Sequence, residues 1–204
     1  MTAAKRAAAK QHRVATKQPR AATKHDDARE TVIAQLAEVF RAHGYEGTSL
    51  SLITQATGLG KGSLYNLFPR GKEQMAEEVL SAIDAWFERN VFAPLRDDKT
   101  GEGIAHMFEA TDHYFESGGR VCLVGVFALG GARDTFGKRL RGYFKAWEEA
   151  LAAALRRQGM TAAQAKDRAE EIVLGIQGGL VLARASADRR VFSRALKRLR
   201  VRLA

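Results

Sequence analysis

The sequence holds one cysteine, Cys122, and three prolines in 204 residues. A single cysteine excludes an internal disulfide framework and suits a reducing compartment. Few prolines and no sustained alternation of apolar and polar residues point to an all-α protein. No apolar run approaches the roughly 20 residues that a membrane-spanning helix needs. The run at 121–129, VCLVGVFAL, is too short for that and reads as a helix buried on most sides. The N-terminus is polar and basic with no apolar h-region, so no secretory signal is expected.

Acidic residues are missing from the first 25 positions, which carry Lys5, Arg6, Lys10, Arg13, Lys17, Arg20 and Lys24. Seven of the ten net positive charges therefore sit there, and the remaining chain carries an ordinary excess of three. The segment has too little apolar area to offset chain entropy and is expected to be disordered in isolation. A one-signed flexible arm of this kind suits phosphates or a minor groove.

Catalytic constellations are absent as well. There is no nucleophile–base–orienter set, phosphate loop or spaced carboxylate pair, so catalysis is not expected. Gly175, Gly178 and Gly179 follow no strand and make no dinucleotide fingerprint. His106, Glu109 and His113 have the i, i+3, i+7 spacing of ligands on one helix face, but no fourth partner is identifiable. A solvated face is the expected reading, with no metal and no cofactor. Cys122, in its apolar run, is expected to be a buried inert thiol rather than a redox sensor.

The informative stretch is 48–68, TSLSLITQATGLGKGSLYNLF. Leu50, Ile53, Leu59, Leu64 and Leu67 let two short crossed helices share one small core. Thr48 and Ser49 are good N-cap residues, and Gly58 sits where the first helix must stop and turn. Lys61, Ser63, Tyr65 and Asn66 then face outward from a second helix of about eight residues. This is the layout of a helix-turn-helix, whose second helix lies in the major groove. There Asn66 has the donor–acceptor pair to read adenine, and Lys61 suits guanine or phosphate.

Around it the apolar spacing predicts an amphipathic helix over 26–43, ended by Gly44, and a longer one from Lys72 to Phe92, before Pro94. A polar loop over 96–103 follows. Further helices are predicted over 104–116, 121–129, 135–158, 161–187 and 188–204. The last two expose more apolar stripe than a monomer needs, which predicts a two-fold four-helix interface.

The residues Phe40–Gly44, Thr48-Ser49-Leu50, Ala56–Gly58, Lys61-Gly62-Ser63-Leu64-Tyr65, Phe68 and Lys72-Glu73 together resemble the DNA-binding domain of the TetR (tetracycline repressor) family. The match covers about residues 28–80 and rests on many spaced positions agreeing at once. The resemblance implies an all-α fold: an N-terminal three-helix DNA-binding domain and a larger helical ligand-binding and dimerisation domain. By position, Thr48, Ser49 and Lys72 resemble phosphate contacts. Lys61, Gly62 and Ser63 match the entry of the recognition helix, and Tyr65 and Asn66 the pair that touches phosphate and groove floor. Gly60 departs from a frequent serine cap, and Leu67 from a frequent aromatic or histidine. The turn at 68–73 and the run at 122–125 are similar to a drug- and aromatic-responsive branch.

The expected organisation is a basic arm at 1–25, the helix-turn-helix domain at 26–70 and the ligand-binding and dimerisation domain at 71–204. The expected function is a ligand-responsive homodimeric transcriptional regulator, a repressor released from its double-stranded operator by a small hydrophobic or aromatic effector. It would act in the bacterial cytoplasm, on the nucleoid and not at a membrane. Phe108, Tyr114, Phe127, Tyr143, Trp147 and Gln177 are the candidate effector walls, as rings and polar tips facing the second domain's interior. The alternative is an architectural DNA-binding protein without an effector, whose basic arm dominates affinity.

Overall fold

The computed structural model describes residues 22–201, with side chains from Ala28 onward. Most of the basic arm, including its expected disorder and DNA contact, lies outside the described residues. So do residues 202–204.

Among the described residues every regular element is helical. The elements are α1 (Ala22–Gly47), α2 (Leu50–Thr57), α3 (Lys61–Leu67), α4 (Lys72–Phe87), α5 (Ala93–Asp97), α6 (Gly103–Tyr114), α7 (Leu123–Leu129), α8 (Ala132–Arg157), α9 (Ala162–Ser186) and α10 (Arg190–Val201). A wide π turn, Glu88–Phe92, joins α4 to α5, and a 3₁₀ turn, Glu116–Gly118, follows α6. No described helix is long and apolar enough to cross a membrane.

The boundaries follow local chemistry with two instructive exceptions. α1 begins at Ala22, four residues earlier than its apolar stripe suggests, and its regular part ends at Gly44, where φ is 68°. The helix predicted to stop at Phe92 instead passes Pro94 and ends at Asp97. Proline interrupts a helix because its ring clashes with the carbonyl four residues earlier and it lacks an N–H. Here Pro94 falls in the first turn of α5, where no intrahelical donor is needed. The π turn just before it absorbs the change in register.

One continuous core runs through the described chain. Phe40 and Tyr45, from the α1 end of the molecule, meet Phe127 of α7 at centroid distances of 5.6 and 5.8 Å. Tyr45 also lies 5.3 Å from Phe136 of α8, edge to face. The helix-turn-helix therefore shares its core with the larger domain, which a three-helix unit of this size needs for stability. Deeper in, Phe87 touches Phe92, Tyr143 and Trp147.

The α9 glycines divide into two kinds. A side chain at Gly175 or Gly179 would strike Leu199 or Ala195, so both allow α10 to approach α9 at near-backbone distance. Gly178 faces open space, beside the exposed Leu174, Val181 and Leu182. The apolar stripe of α10 (Phe192, Leu196, Leu199) is spent on that inner packing. Among the described residues of these two helices, the sizeable uncovered apolar face is on α9, whereas the sequence suggested both helices.

Candidate nucleic-acid interface

α2 and α3 are built for a sharp crossing. The Ser49 hydroxyl accepts the Leu52 N–H at 3.2 Å, the side-chain cap expected at the start of α2. Gly58 ends that helix at φ 66°, a left-handed conformation in which a side chain would be strained. Its N–H donates to the Thr54 carbonyl at 3.0 Å. α3 begins after Gly60 with no side-chain cap, which costs a few tenths of a kcal/mol relative to serine.

Leu64 and Phe68 are fully buried and Leu67 is half-buried, so α3 is held by one edge. Lys61, Gly62, Ser63, Tyr65 and Asn66 are all exposed on the other. The side chains of Lys61, Ser63, Tyr65 and Asn66 make no hydrogen bond or ion pair with the described residues. A Cβ added at Gly62 would meet nothing within 4 Å, so the fold itself does not require glycine there.

Two other residues matched by position are committed elsewhere. Thr48 is buried, and its hydroxyl donates to the Gly44 carbonyl at 2.6 Å, closing the end of α1 instead of facing outward. The Lys72 ammonium donates to the carbonyls of Tyr45 (2.9 Å) and Thr48 (3.1 Å) and lies 4.6 Å from the Tyr45 ring centroid. It satisfies carbonyls that the end of α1 would otherwise leave unpaired. That ties the start of α4 to the helix-turn-helix.

Arg29 is the positioning residue that sequence reasoning missed. Its guanidinium pairs with Glu78 of α4 at 2.6–3.1 Å and donates to the Leu67 carbonyl, the last residue of α3, at 3.2 Å. It also lies 5.0 Å from the Phe68 ring centroid. One side chain thus joins α1, α3 and α4. No local pattern announces a pair 49 residues apart.

The six candidate effector residues do not form one wall. Phe127 sits in the seam with Phe40, Tyr45 and Phe136. Tyr143 and Trp147 pack on Phe87, and the Trp147 Nε1–H points at the Met107 sulfur, 3.3 Å away. Tyr114 joins the same rings from α6 but also reaches a surface groove beside α1. Phe108 lies under the Arg200 guanidinium, 5.2 Å from its ring centroid. Gln177 reaches toward Gly125 and Cys122 from α9. His106, Glu109 and His113 are exposed, and the described residues contain no group of three or more potential metal ligands.

Cys122 caps α7, its sulfur accepting the Gly125 N–H at 3.4 Å. Burial pushes its thiol above the usual cysteine range, overriding the opposing hydrogen bonds. The thiolate fraction at neutral pH is therefore below that of a free cysteine. Iodoacetamide should modify the native protein at least about tenfold more slowly than the urea-unfolded chain. Equal rates would contradict the buried, protonated thiol.

Comparison with known proteins agrees with this architecture. Residues 32–79 match the family model of bacterial regulatory proteins of the tetR family. Residues 100–198 match the C-terminal domain of LmrA/YxaF-like transcriptional regulators. The chain is 27% identical over 168 residues to the HTH-type transcriptional regulator YxaF of Bacillus subtilis, covering 80% of this chain and 88% of that protein. A TetR transcriptional regulator from Legionella pneumophila superposes with a TM-score of 0.72 at 22% identity, over 86% of this chain and 97% of the other. The regulator CifR, in a cysteine mutant crystallised with 26 bp of double-stranded operator DNA, superposes with a TM-score of 0.67 at 26% identity. That match covers 84% of this chain and 95% of CifR. With a matching DNA-binding domain, a matching C-terminal domain and the same fold, the chain belongs to the TetR family of transcriptional regulators.

Proposed function

We propose that the protein is a homodimeric, ligand-responsive repressor that reads a near-palindromic operator with α3. In this reading residues 26–70 read DNA, residues 71–204 bind the effector and the second subunit, and residues 1–25 lie along phosphates. It acts on the bacterial nucleoid and is released by a small hydrophobic or aromatic effector. The observation that carries the DNA assignment is the outer edge of α3, where five exposed residues are committed to nothing else in the fold. Lys61 and Ser63 supply donors to phosphate or guanine, Asn66 has the pair that matches adenine, and Gly62 lets the backbone come close. Ser49, at the start of α2, adds a phosphate contact. The operator complex of CifR supports the same use of the helix-turn-helix.

Selection of bound fragments from a genomic DNA pool by the full-length protein tests this reading. The expected result is enrichment of near-palindromic sites with half-sites spaced for two recognition helices. Recovery without sequence preference, tracking only ionic strength, would overturn it.

The dimer is proposed to close on the uncovered face of α9. Leu174, Val181 and Leu182 flank Gly178, so a partner helix can pack at short distance there. Leu182→Glu with Leu174→Glu places two charges against their own symmetry mates. Sedimentation should then show a monomer at micromolar concentration, with helix content retained. A stable dimer in that variant would sink the assignment of this face.

A further inference from the structure

A surface groove of about 370 Å³ runs between α1 and α4 and is lined as well by Tyr114 and Arg120. It lies away from the recognition helix and shares Trp86 and Tyr114 with the outer side of the ring cluster around Phe87. Its inner wall is apolar, with Trp86 and Tyr114 as a tilted aromatic pair 4.4 Å apart. Its charged groups are Arg41, Arg89 and Arg120 against Glu30 and Glu38, an excess of one positive charge. The Arg41 side chain is only 7% exposed, and its Nε has no hydrogen-bond partner among the described residues. Another nitrogen of the same guanidinium donates to the Tyr114 hydroxyl at 3.3 Å. A buried guanidinium nitrogen without a partner costs more than one in water, which favours a ligand that brings an acceptor.

We propose that this groove is an effector site for a planar aromatic carboxylate. The ring lies against Trp86 and Tyr114, and the carboxylate takes donors from Arg120 and Arg41. Planar, bidentate recognition is the chemistry a guanidinium performs best. The proposal rests on the repressor reading above and gives its effector a place and a class.

The groove also offers a route from ligand to DNA. Glu38, on α1, is shared by Arg41 (2.5 Å) and by Arg120 (2.7 Å), which enters from the turn before α7. An incoming carboxylate replaces Glu38 as the partner of Arg120. α1 then loses its ionic tie to the turn before α7. The same helix carries Arg29, bonded to the last carbonyl of α3 and to Glu78 of α4. A ligand seated between α1 and α4 therefore acts on both helices that hold the recognition helix. It lowers operator affinity by favouring the arrangement in which α1 and α4 stand further apart.

Calorimetric titration of the full-length protein with 2-naphthoate and with 2-naphthamide tests the site without DNA. Naphthoate should bind, and the neutral amide at least about tenfold more weakly, since it has no charge and only one acceptor oxygen for the guanidinium fork. Arg120→Gln should weaken naphthoate by a similar factor and leave the amide unchanged, whereas Trp86→Ala should weaken both. Lys197→Gln, on the basic outer face of α10, controls for diffuse anion binding and should change neither. No naphthoate binding at millimolar concentration would overturn the proposal. Equal affinity for the amide, or indifference to both Arg120→Gln and Trp86→Ala, would do the same. Loss of binding in Tyr143→Phe alone would move the site into the interior and overturn it too. Operator binding by the unliganded protein, measured separately, reports on the repressor reading, so the two can fail independently.

Discussion

Tyr65→Ala should weaken operator binding by roughly 100-fold while leaving dimerisation and thermal stability close to wild type. A groove or phosphate contact of this kind contributes about 1–3 kcal/mol. A two-fold complex loses it twice, so even 1.4 kcal/mol per half-site gives a factor of about 100. The expectation of unchanged stability has its own basis. The Tyr65 ring is half exposed and lies beside Gly71, and alanine is the better helix former. Fluorescence anisotropy at one fixed salt concentration measures the loss, because affinities at different salt are not comparable. An affinity within twofold of wild type would remove Tyr65 from the interface and weaken the assignment of the whole outer edge of α3. Lys61→Ala should behave differently, lowering affinity across sequences and flattening the salt dependence by about one unit per half-site.

The largest stability effect is expected at Phe87, not at any exposed residue. Its ring is fully buried and lies within about 4.8–6.1 Å, centroid to centroid, of Trp86, Phe92, Tyr114, Phe115, Tyr143 and Trp147. Phe87→Ala removes the hub of that cluster and should cost about 3–5 kcal/mol. For a chain of this length that corresponds to a fall in Tm of roughly 6–20 °C. Phe87→Leu keeps most of the volume and should cost well under half as much. Urea titration of the two variants measures the difference. A loss below about 1 kcal/mol in the alanine variant would mean that neighbouring rings collapse into the space. In the proposed repressor the position would also bear on signalling, because Phe87 ends α4 just before the π turn. A variant that folds but fails to release DNA would trace the path from the larger domain along α4.

The helical skeleton was legible because its signals are local. Gly44 and Gly58 mark the ends of α1 and α2, Ser49 caps α2, and the apolar stripes of α1, α4 and α8 recur at helical spacing. Pro94 misled because the rule for proline concerns the helix interior, and a π turn converted its position into a first turn. The exposed edge of α3 could be read from spacing alone. The commitments of Thr48 and Lys72 could not, since both depend on where the end of α1 places its carbonyls. Arg29 with Glu78, and Arg120 with Glu38, unite residues 49 and 82 positions apart. Composition gives no hint of which of many arginines meets which acid. The interior rings were identified as residues but not as neighbours, because a dispersed aromatic set carries no information about which helices meet. The groove between α1 and α4 escaped for the same reason: its walls come from three distant segments.

The ring of Tyr45 sits where the N-terminal helices meet α7 and α8 in the shared core, and this limits which helical bodies those helices can be joined to. A fragment ending near residue 70 would present Phe40 and Tyr45 to water where Phe127 and Phe136 now cover them. Recombination that attached this reading head to an unrelated helical body would have to supply two matching rings at the seam. Exchange among relatives is therefore constrained to bodies that keep an α7 and an α8 of compatible shape. In this chain the N-terminal helices and the larger domain are packed as one piece.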